Sequence, residues 1–207
     1  MNKSEKFWDK RAVEYDQNEK KWSETYNKAI ENTTKYLKKE DTVLEMGCGS
    51  GIMTMQLANL VKEIHAFDIS SKMIESADQR AKGNNIENIQ YSQNTIFDER
   101  FKKGTYDVIL AFNVLHLLDD TPEVMQRINE LLKPRGIFIS ETASLGETKA
   151  FLSSMISLFS KMRILPKVSK LKYSDLENLI TKVELEILET EILGEGVTTY
   201  YIAARKP

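Results

Sequence analysis

A glycine-rich turn at the end of a short apolar segment constrains the fold more than any other feature of this chain. Residues 43–51 read Val-Leu-Glu-Met-Gly-Cys-Gly-Ser-Gly, and residues 43–46 have the composition of a buried parallel strand. The glycines permit a tight turn and close backbone approach to a ligand before a helix begins at Ile52. The next apolar segment ends at Asp68, roughly 20 residues after the loop, where a carboxylate can accept hydrogen bonds from ribose hydroxyls. Together these features predict a nucleotide-like ligand at the sheet edge.

The chemistry of the loop narrows the kind of ligand. Gly47, Gly49 and Gly51 place the third glycine one residue earlier than the dinucleotide-binding fingerprint does. Glu45, at the end of the strand, would repel a pyrophosphate but attract the ammonium group of an amino-acid moiety. The loop has no Lys-Ser or Lys-Thr pair, so it is not a phosphate-binding P-loop.

Several stretches resemble one enzyme family. The glycine loop resembles motif I of the class I S-adenosylmethionine (SAM)-dependent methyltransferases, and Asp68 matches the acid with which that family binds ribose. Residues 104–118 resemble the family's fourth strand and its following loop, and residues 131–139 resemble its turn into strand five. Residues 7–16 resemble the opening segment of small-molecule methyltransferases, in which an aromatic side chain closes over the cofactor. The resemblance implies methyl transfer from SAM, with S-adenosylhomocysteine (SAH) as product.

The resemblance also implies a set of cofactor-binding residues. The resemblance implies that the glycines let the backbone approach the cofactor, that Glu45 interacts with the amino-acid end of the cofactor, and that Asp68 binds the ribose. The full set is Tyr15, Glu45, Gly47, Cys48, Gly49, Gly51, Asp68, Ile69, Met73, Asn94, Thr95, Phe112 and Asn113. Asn94 departs from the family, in which many relatives use Asp to bind the adenine amino group, although Asn can still accept through its carbonyl oxygen. The family's turn before strand five also has a further glycine where this chain has Ile137.

Methyl transfer asks little acid–base chemistry of a protein, because the acceptor has only to be held close to the methyl carbon. A base is needed only for a protonated acceptor. His116 is the leading candidate, since it follows strand four at the ligand-binding edge and an imidazole titrates near neutrality. The surrounding pattern also resembles one in which the histidine packs structurally. Tyr15 is a second candidate catalytic residue, and Glu141 is a weaker alternative.

For several other residues a functional role and a structural role are both possible. Cys48 is either a reactive thiol or a closely packed member of the loop, and the second is simpler. Trp8 and Tyr15 either form a lid over the cofactor or anchor the amino-terminal helix. His65 lies within strand two, where we expect it to be a strand-face residue.

Composition limits the domain organisation and the partners. The 207 residues, 41% of them hydrophobic, suit one domain spanning 1–207, with residues 1–40 as a helical lid and 146–173 as a helical cap insertion. A net charge of −2 disfavours a nucleic-acid partner. One cysteine and two histidines argue against a disulfide and a metal site. The polar start and the absence of a long apolar stretch predict a cytoplasmic protein without stable membrane insertion, as a monomer or homodimer.

Alternating helical and strand periodicities predict an α/β, Rossmann-like, doubly wound sheet that is mostly parallel. Thr121-Pro122 predicts a helix start with Thr121 as N-cap, and Ser174 with Glu177 predicts a capping box. Residues 185–193 and 197–204 are separated by a glycine-containing turn and predict a terminal hairpin, which the family resemblance also implies.

The segment 146–173 bears on the acceptor. It is rich in Met and Phe on nearly all helical faces, which suits an adaptable pocket for an apolar or aromatic acceptor. Packing between the sheet and the amino-terminal helix is the alternative, and contact with a membrane surface is a third.

Two rival functions stay open. A nicotinamide-dependent oxidoreductase is disfavoured by the early third glycine, by Glu45 and by the lack of a Tyr-x-x-x-Lys pair. A non-catalytic SAM-binding protein stays possible, because methyl transfer has no obligatory catalytic residue.

Overall fold

The computed structural model describes a seven-stranded sheet with helices on both faces. The described residues are 3–15, 19–147, 168–194 and 198–207, with the backbone alone for 13–15 and 19–23. In chain order the strands are β1 (Thr42–Met46), β2 (Glu63–Asp68), β3 (Ile89–Gln93), β4 (Tyr106–Phe112), β5 (Leu132–Ala143), β6 (Glu186–Leu193) and β7 (Thr199–Arg205).

The strand order in space is β3-β2-β1-β4-β5-β7-β6. Strands β1 to β5 run parallel to one another. Strand β7 runs antiparallel to both β5 and β6, so the predicted terminal hairpin is present. The predicted Rossmann-like, mostly parallel sheet with an antiparallel carboxyl-terminal strand is therefore confirmed.

Each face of the sheet has its own core. The helices are α1 (Lys3–Tyr15), α2 (Glu19–Thr34), α3 (Ile52–Ala58), α4 (Ser71–Gly83), α5 (Thr121–Leu131) and α6 (Tyr173–Thr181), with a 3₁₀ turn at Leu115–Leu117. Apolar side chains of α5 and α6, such as Ile128 and Leu176, fill one core, and those of α2 and α3, such as Ala29 and Leu57, belong to the other. Because helices cover both faces, the central strands β1 and β4 are buried nearly throughout.

Two predicted helix caps are wrong by one or two residues. Asp120, not Thr121, is the N-cap of α5, and its carboxylate accepts from the Glu123 N–H at 3.1 Å. Helix α6 begins at Tyr173, ahead of the expected Ser174 cap. At α5 the short Asp120 carboxylate reaches a free N–H of the first turn, whereas the N-cap of α6 is Lys172.

The second of these caps shows what replaces the expected capping box. The Asp175 carboxylate accepts from the Lys172 N–H at 2.9 Å. Glu177, the expected partner of Ser174, instead accepts from the Tyr200 hydroxyl at 2.6 Å and so ties α6 to the sheet.

Part of the predicted cap cannot be compared with the structure. Residues 148–167, which make up most of it, lie outside the described residues. In the part of the chain that is described, no helix combines the length and the apolar character needed to cross a membrane. The described residues also contain no group of three or more His, Cys, Asp or Glu side chains arranged to hold a metal ion.

Candidate active site

A cavity of about 350 Å³ lies at the carboxyl edge of the parallel strands, where ligands of open α/β sheets bind. Its volume falls within the range usual for small-molecule sites. Most of its walls are apolar or aromatic. The lining residues are Ser4, Trp8, Met46, Gly47, Gly49, Phe67, Asp68, Ile69, Met73, Thr95, Ile96, Phe97, Phe112, Asn113, Val114, Leu117, Leu118, Asp119, Asp120 and Val124.

The glycine loop after β1 is shaped by its own protein neighbours. Gly47 and Gly51 have left-handed φ values of 69° and 78°. A Cβ at Gly47 would lie 2.7 Å from Cγ2 of Val114, and one at Gly51 would lie 2.6 Å from the Tyr91 hydroxyl. Both positions therefore need glycine for conformation and for space, and of the two only Gly47 lines the cavity.

Asp68 stands at the tip of β2 and lines the cavity. Its Oδ2 accepts from the Gly49 N–H at 3.1 Å, and its Oδ1 accepts from the Ser70 N–H at 2.8 Å. Burial raises the pKa of this carboxyl, and the main-chain donors oppose that shift. Since a carboxylate offers about four acceptor sites, these two bonds leave acceptor capacity for ligand hydroxyls.

Glu45 is buried at the end of β1, just behind the glycine loop. Its Oε2 has no hydrogen-bond partner among the described residues. Burial raises the pKa of Glu45 to about 7. A buried acceptor of this kind fits a ligand that brings a cationic donor, as the amino-acid end of SAM does. Glu45 itself is not among the lining residues, so such contact requires an adjustment or a bridging group.

Cys48 is also buried, and burial raises the pKa of its thiol well above its usual range. Because the thiolate is the reactive form, this environment disfavours the reactive reading of Cys48.

The opposite wall follows β4. Phe112, Asn113 and Val114 line the cavity, and Asn113 has a left-handed φ of 52°. Its N–H donates to the main-chain oxygen of Glu141 at 2.7 Å, and its Nδ2 donates to Glu141 Oε2 at 2.6 Å. Glu141 is fully buried within β5, and burial raises its pKa to about 7.

His116 lies in the 3₁₀ turn and is not among the lining residues. Its ring is buried, and its Nδ1 has no hydrogen-bond partner in the described part of the chain. Burial lowers the pKa of His116 to about 4, so the imidazole is neutral at physiological pH. His65, in β2, is a strand-face residue whose Nδ1 lies 3.1 Å from the Tyr106 hydroxyl.

The residues expected around the adenine are only partly brought together. Ile69, Met73 and Thr95 line the cavity. Asn94 does not: its Oδ1 accepts from Arg100 Nη2 at 2.8 Å, and its Nδ2 donates to Ser92 Oγ at 3.0 Å.

Sequence reasoning missed several lining residues after β3 and β4. They are Ile96, Phe97, Leu117, Leu118, Asp119, Asp120 and Val124. The available signal was positional, since they follow strands whose carboxyl ends meet at one edge.

Helix α1 forms another part of the wall through Ser4 and Trp8. Asp9 fastens this helix to the start of α4: its Oδ1 accepts from Ser70 Oγ at 2.7 Å and from the Lys72 N–H at 3.3 Å. Trp8 lines the cavity, and its role as a lid stays a prediction. The side chain of Tyr15 lies outside the described residues.

The fold and the cavity can now be set beside known proteins. A family model described as a methyltransferase domain matches residues 37–192. The chain belongs to this methyltransferase family. The predicted class, a class I SAM-dependent methyltransferase with SAM as cofactor, is confirmed at this level, and the oxidoreductase alternative finds no support.

Curated relatives match part of their own length. The ubiquinone biosynthesis O-methyltransferase of Rickettsia akari is 29% identical over 152 residues, which cover 71% of this chain and 59% of that protein. The ribosomal protein L11 methyltransferase of Bacillus pumilus is 36% identical over 117 residues, or 54% of this chain and 35% of that protein. The chain thus spans less than two thirds of either relative.

Solved structures share the fold at low identity. A putative methyltransferase from Bacillus halodurans superposes with a TM-score of 0.76 at 16% identity, covering 88% of this chain and 98% of that one. The geranyl diphosphate C-methyltransferase of Streptomyces coelicolor, solved with SAH, gives a TM-score of 0.71 at 14% identity, covering 86% and 78%.

Proposed function

We propose that this methyltransferase transfers the methyl group of SAM to a small, apolar or aromatic acceptor. The observation that carries the proposal is the cavity itself, in which the glycine loop, Asp68 and Asn113 meet within mostly apolar walls. Its volume of about 350 Å³ suits a small-molecule ligand such as SAM.

The residues of the cavity fit the three parts of SAM. The free acceptor capacity of Asp68 suits the ribose hydroxyls, and the partly apolar surface of Ile69, Met73 and Thr95 suits the adenine. Behind the glycine loop, Oε2 of the buried Glu45 has no hydrogen-bond partner among the described residues. This supports a position for the SAM ammonium group near Glu45, although Glu45 does not itself line the cavity. When bound, SAM supplies a methyl group on a sulfonium. The departing group is the neutral thioether SAH, which needs no proton from a protein acid.

The acceptor side is inferred from what the proposed SAM contacts leave over. Phe97, Leu118 and Val124 add apolar surface, and Phe97 is 46% exposed at the cavity. Exposed aromatic surface of this kind suits an apolar or aromatic acceptor. The name of the relatives, ubiquinone biosynthesis O-methyltransferase, also supports a small molecule as acceptor.

The catalytic assignments stay predictions. The neutral imidazole of His116 could accept a proton. To act as a base, however, the ring would have to reach a cavity that it does not line. The role of Tyr15, the cytoplasmic location, the single-domain organisation and the choice between monomer and homodimer stay predictions as well.

The first experiment is calorimetric titration with SAM, SAH and NAD after removal of carried-over ligand. We expect micromolar binding of SAM and SAH and none of NAD. SAH formation is then measured over a panel of hydroxylated aromatics, amines, thiols and a ribosomal protein. Turnover of the small aromatic members supports the proposal. If only the ribosomal protein is methylated, the proposed class of acceptor is wrong. If SAM binds but no member of the panel is methylated, the non-catalytic SAM-binding alternative is favoured.

A further inference from the structure

Asn113 is held against Glu141 at two points. Its main-chain N–H donates to the Glu141 main-chain oxygen at 2.7 Å, and its side-chain Nδ2 donates to Oε2 of the same residue at 2.6 Å. Asn113 lines the cavity, whereas Glu141 lies behind it on β5 with no exposed surface. The link therefore joins a cavity wall to a rigid central strand.

The conformation of Asn113 explains why this position holds asparagine. Its φ of 52° is left-handed, a region open to glycine and tolerated by Asn and Asp. Glycine would lose the side-chain bond to Glu141, and aspartate has no amide donor for a carboxylate. Asparagine meets both requirements, so the strained backbone and the bond to Glu141 are linked.

A carboxyl group in the position of Glu141 is costly for a core. Its Oε2 accepts from Asn113, but its Oε1 has no hydrogen-bond partner among the described residues, and a buried carboxyl group that is only partly hydrogen-bonded destabilises a fold. An apolar side chain would pack there at lower cost. The presence of Glu141 therefore points to a task at the cavity rather than to stability.

We propose that Glu141 is a positioning residue for the cofactor, which holds the left-handed Asn113 in place as part of the wall against which SAM and SAH bind. The effect acts through Asn113, because Glu141 does not line the cavity. The inference rests on the proposed function to the extent that SAM occupies this cavity.

The test is a double-mutant cycle with Glu141→Ala, Asn113→Gly and the double variant, with SAM and SAH affinities measured by calorimetry. Each single variant should weaken both ligands by ~10-fold, the size of effect expected for a lost buried hydrogen bond to a charged group. The double variant should be no weaker than either single one, because both remove the same link. SAM and SAH should lose affinity equally, since positioning does not depend on the sulfonium charge.

Rescue separates positioning from general stability. In Glu141→Gln the amide oxygen can still accept from Asn113, so SAM affinity should stay within ~3-fold of the wild type. Glu87→Ala, at an exposed position, is the matched control and should bind normally. If Glu141→Ala does not fold, Asn113→Gly still provides the test, because glycine tolerates the left-handed backbone.

Several results would overturn the inference. They are normal binding by folded Glu141→Ala or Asn113→Gly, additive losses in the double variant, a Gln variant as weak as the Ala variant, or a loss confined to SAM. If the wild type binds neither ligand, the proposed function fails together with this inference. If the wild type binds and the variants do not differ from it, only this inference fails.

Discussion

The two walls of the cavity are built in different ways. After β1 the wall is main chain: Gly47 has no room for a Cβ, and the Gly49 N–H donates to Asp68. After β4 the wall depends on a side chain, since Asn113 is held by Glu141. The main-chain wall requires a position without a side chain, whereas the side-chain wall requires Asn113 and Glu141 to be present together.

The two buried glutamates show the same contrast. Burial raises the pKa of both Glu45 and Glu141 to about 7. Each has one oxygen without a hydrogen-bond partner in the described part of the chain, Oε2 in Glu45 and Oε1 in Glu141, but Glu141 Oε2 also accepts from Asn113. The same upward shift of the pKa therefore accompanies different surroundings: Glu141 is held to Asn113, and we expect Glu45 to meet the ligand.

The largest effect should come from adding a side chain to the glycine loop that carries the main-chain wall. Gly51→Ala places a Cβ in a left-handed residue 2.6 Å from the Tyr91 hydroxyl. Conformational strain and overpacking together should lower the free energy of unfolding by about 2–5 kcal/mol, measured by urea denaturation.

Gly104→Ala is the matched control, because Gly104 is left-handed at φ 63° but has no atom within 4 Å of the added Cβ. It should cost only the strain, about 1–2 kcal/mol. Equal losses in the two variants would show that space at Gly51 does not matter.

The second prediction separates the two glutamates by pH. A folded pKa of about 7, above the ordinary 4.5, means that the folded protein binds the proton more tightly, so this group lowers stability as pH rises from 4.5 to 7. Glu45→Gln and Glu141→Gln should each be more stable than the unliganded wild type at pH 8, by up to about 3 kcal/mol, and equal to it near pH 4. His116, whose pKa is also shifted, adds a pH dependence to the stability of all three proteins, so its effect cancels when they are compared.

Ligand binding should then divide these two variants. Glu45→Gln should bind SAM more weakly at pH 8, because an amide oxygen has no negative charge to pair with an ammonium group, whereas Glu141→Gln keeps its bond to Asn113. Calorimetry at pH 8 measures both. Equal SAM affinities in the two variants would remove the distinction between an open and an engaged glutamate.

The third prediction concerns the acid that joins the main-chain wall to α4. Asp68→Ala should weaken SAM binding by about 1.5–3 kcal/mol, or roughly 10- to 150-fold, as charge-assisted hydrogen bonds are lost. Asp98→Ala, at a surface acid paired with Arg100 outside the cavity, is the control. Unchanged affinity in a folded Asp68→Ala protein would remove the ribose assignment.

The sequence predicted the main-chain wall better than the side-chain wall. Glycine spacing, strand periodicity and the acid at Asp68 are local signals, and the parallel order and the hairpin followed from them. The link between Asn113 and Glu141 spans 28 residues and depends on the pairing of β4 with β5, which no local pattern encodes.

Errors arose where neighbouring residues compete for one position. Asp120 and Thr121 can each cap a helix, and only the backbone path decides between them. The predicted adenine contact of Asn94 stays a prediction, because its carbonyl oxygen accepts from Arg100, six residues further on. A single sequence does not say which exposed side chain folds back onto a loop.

The smallest effect is expected where α1 closes the main-chain side of the cavity. Asp9→Ala removes the acceptor for Ser70 Oγ and the Lys72 N–H, a capping contact worth about 1 kcal/mol. Hydrogen exchange along residues 3–15 should accelerate, and SAM affinity should fall only a few fold, because α1 contributes Ser4 and Trp8 to the wall. Asp9→Asn keeps an acceptor oxygen and should behave almost as the wild type, and Lys10→Ala on the same helix controls for helix propensity. If exchange along α1 stays unchanged in Asp9→Ala, contacts other than this cap hold the helix, and the main-chain wall does not depend on α1 for its closure.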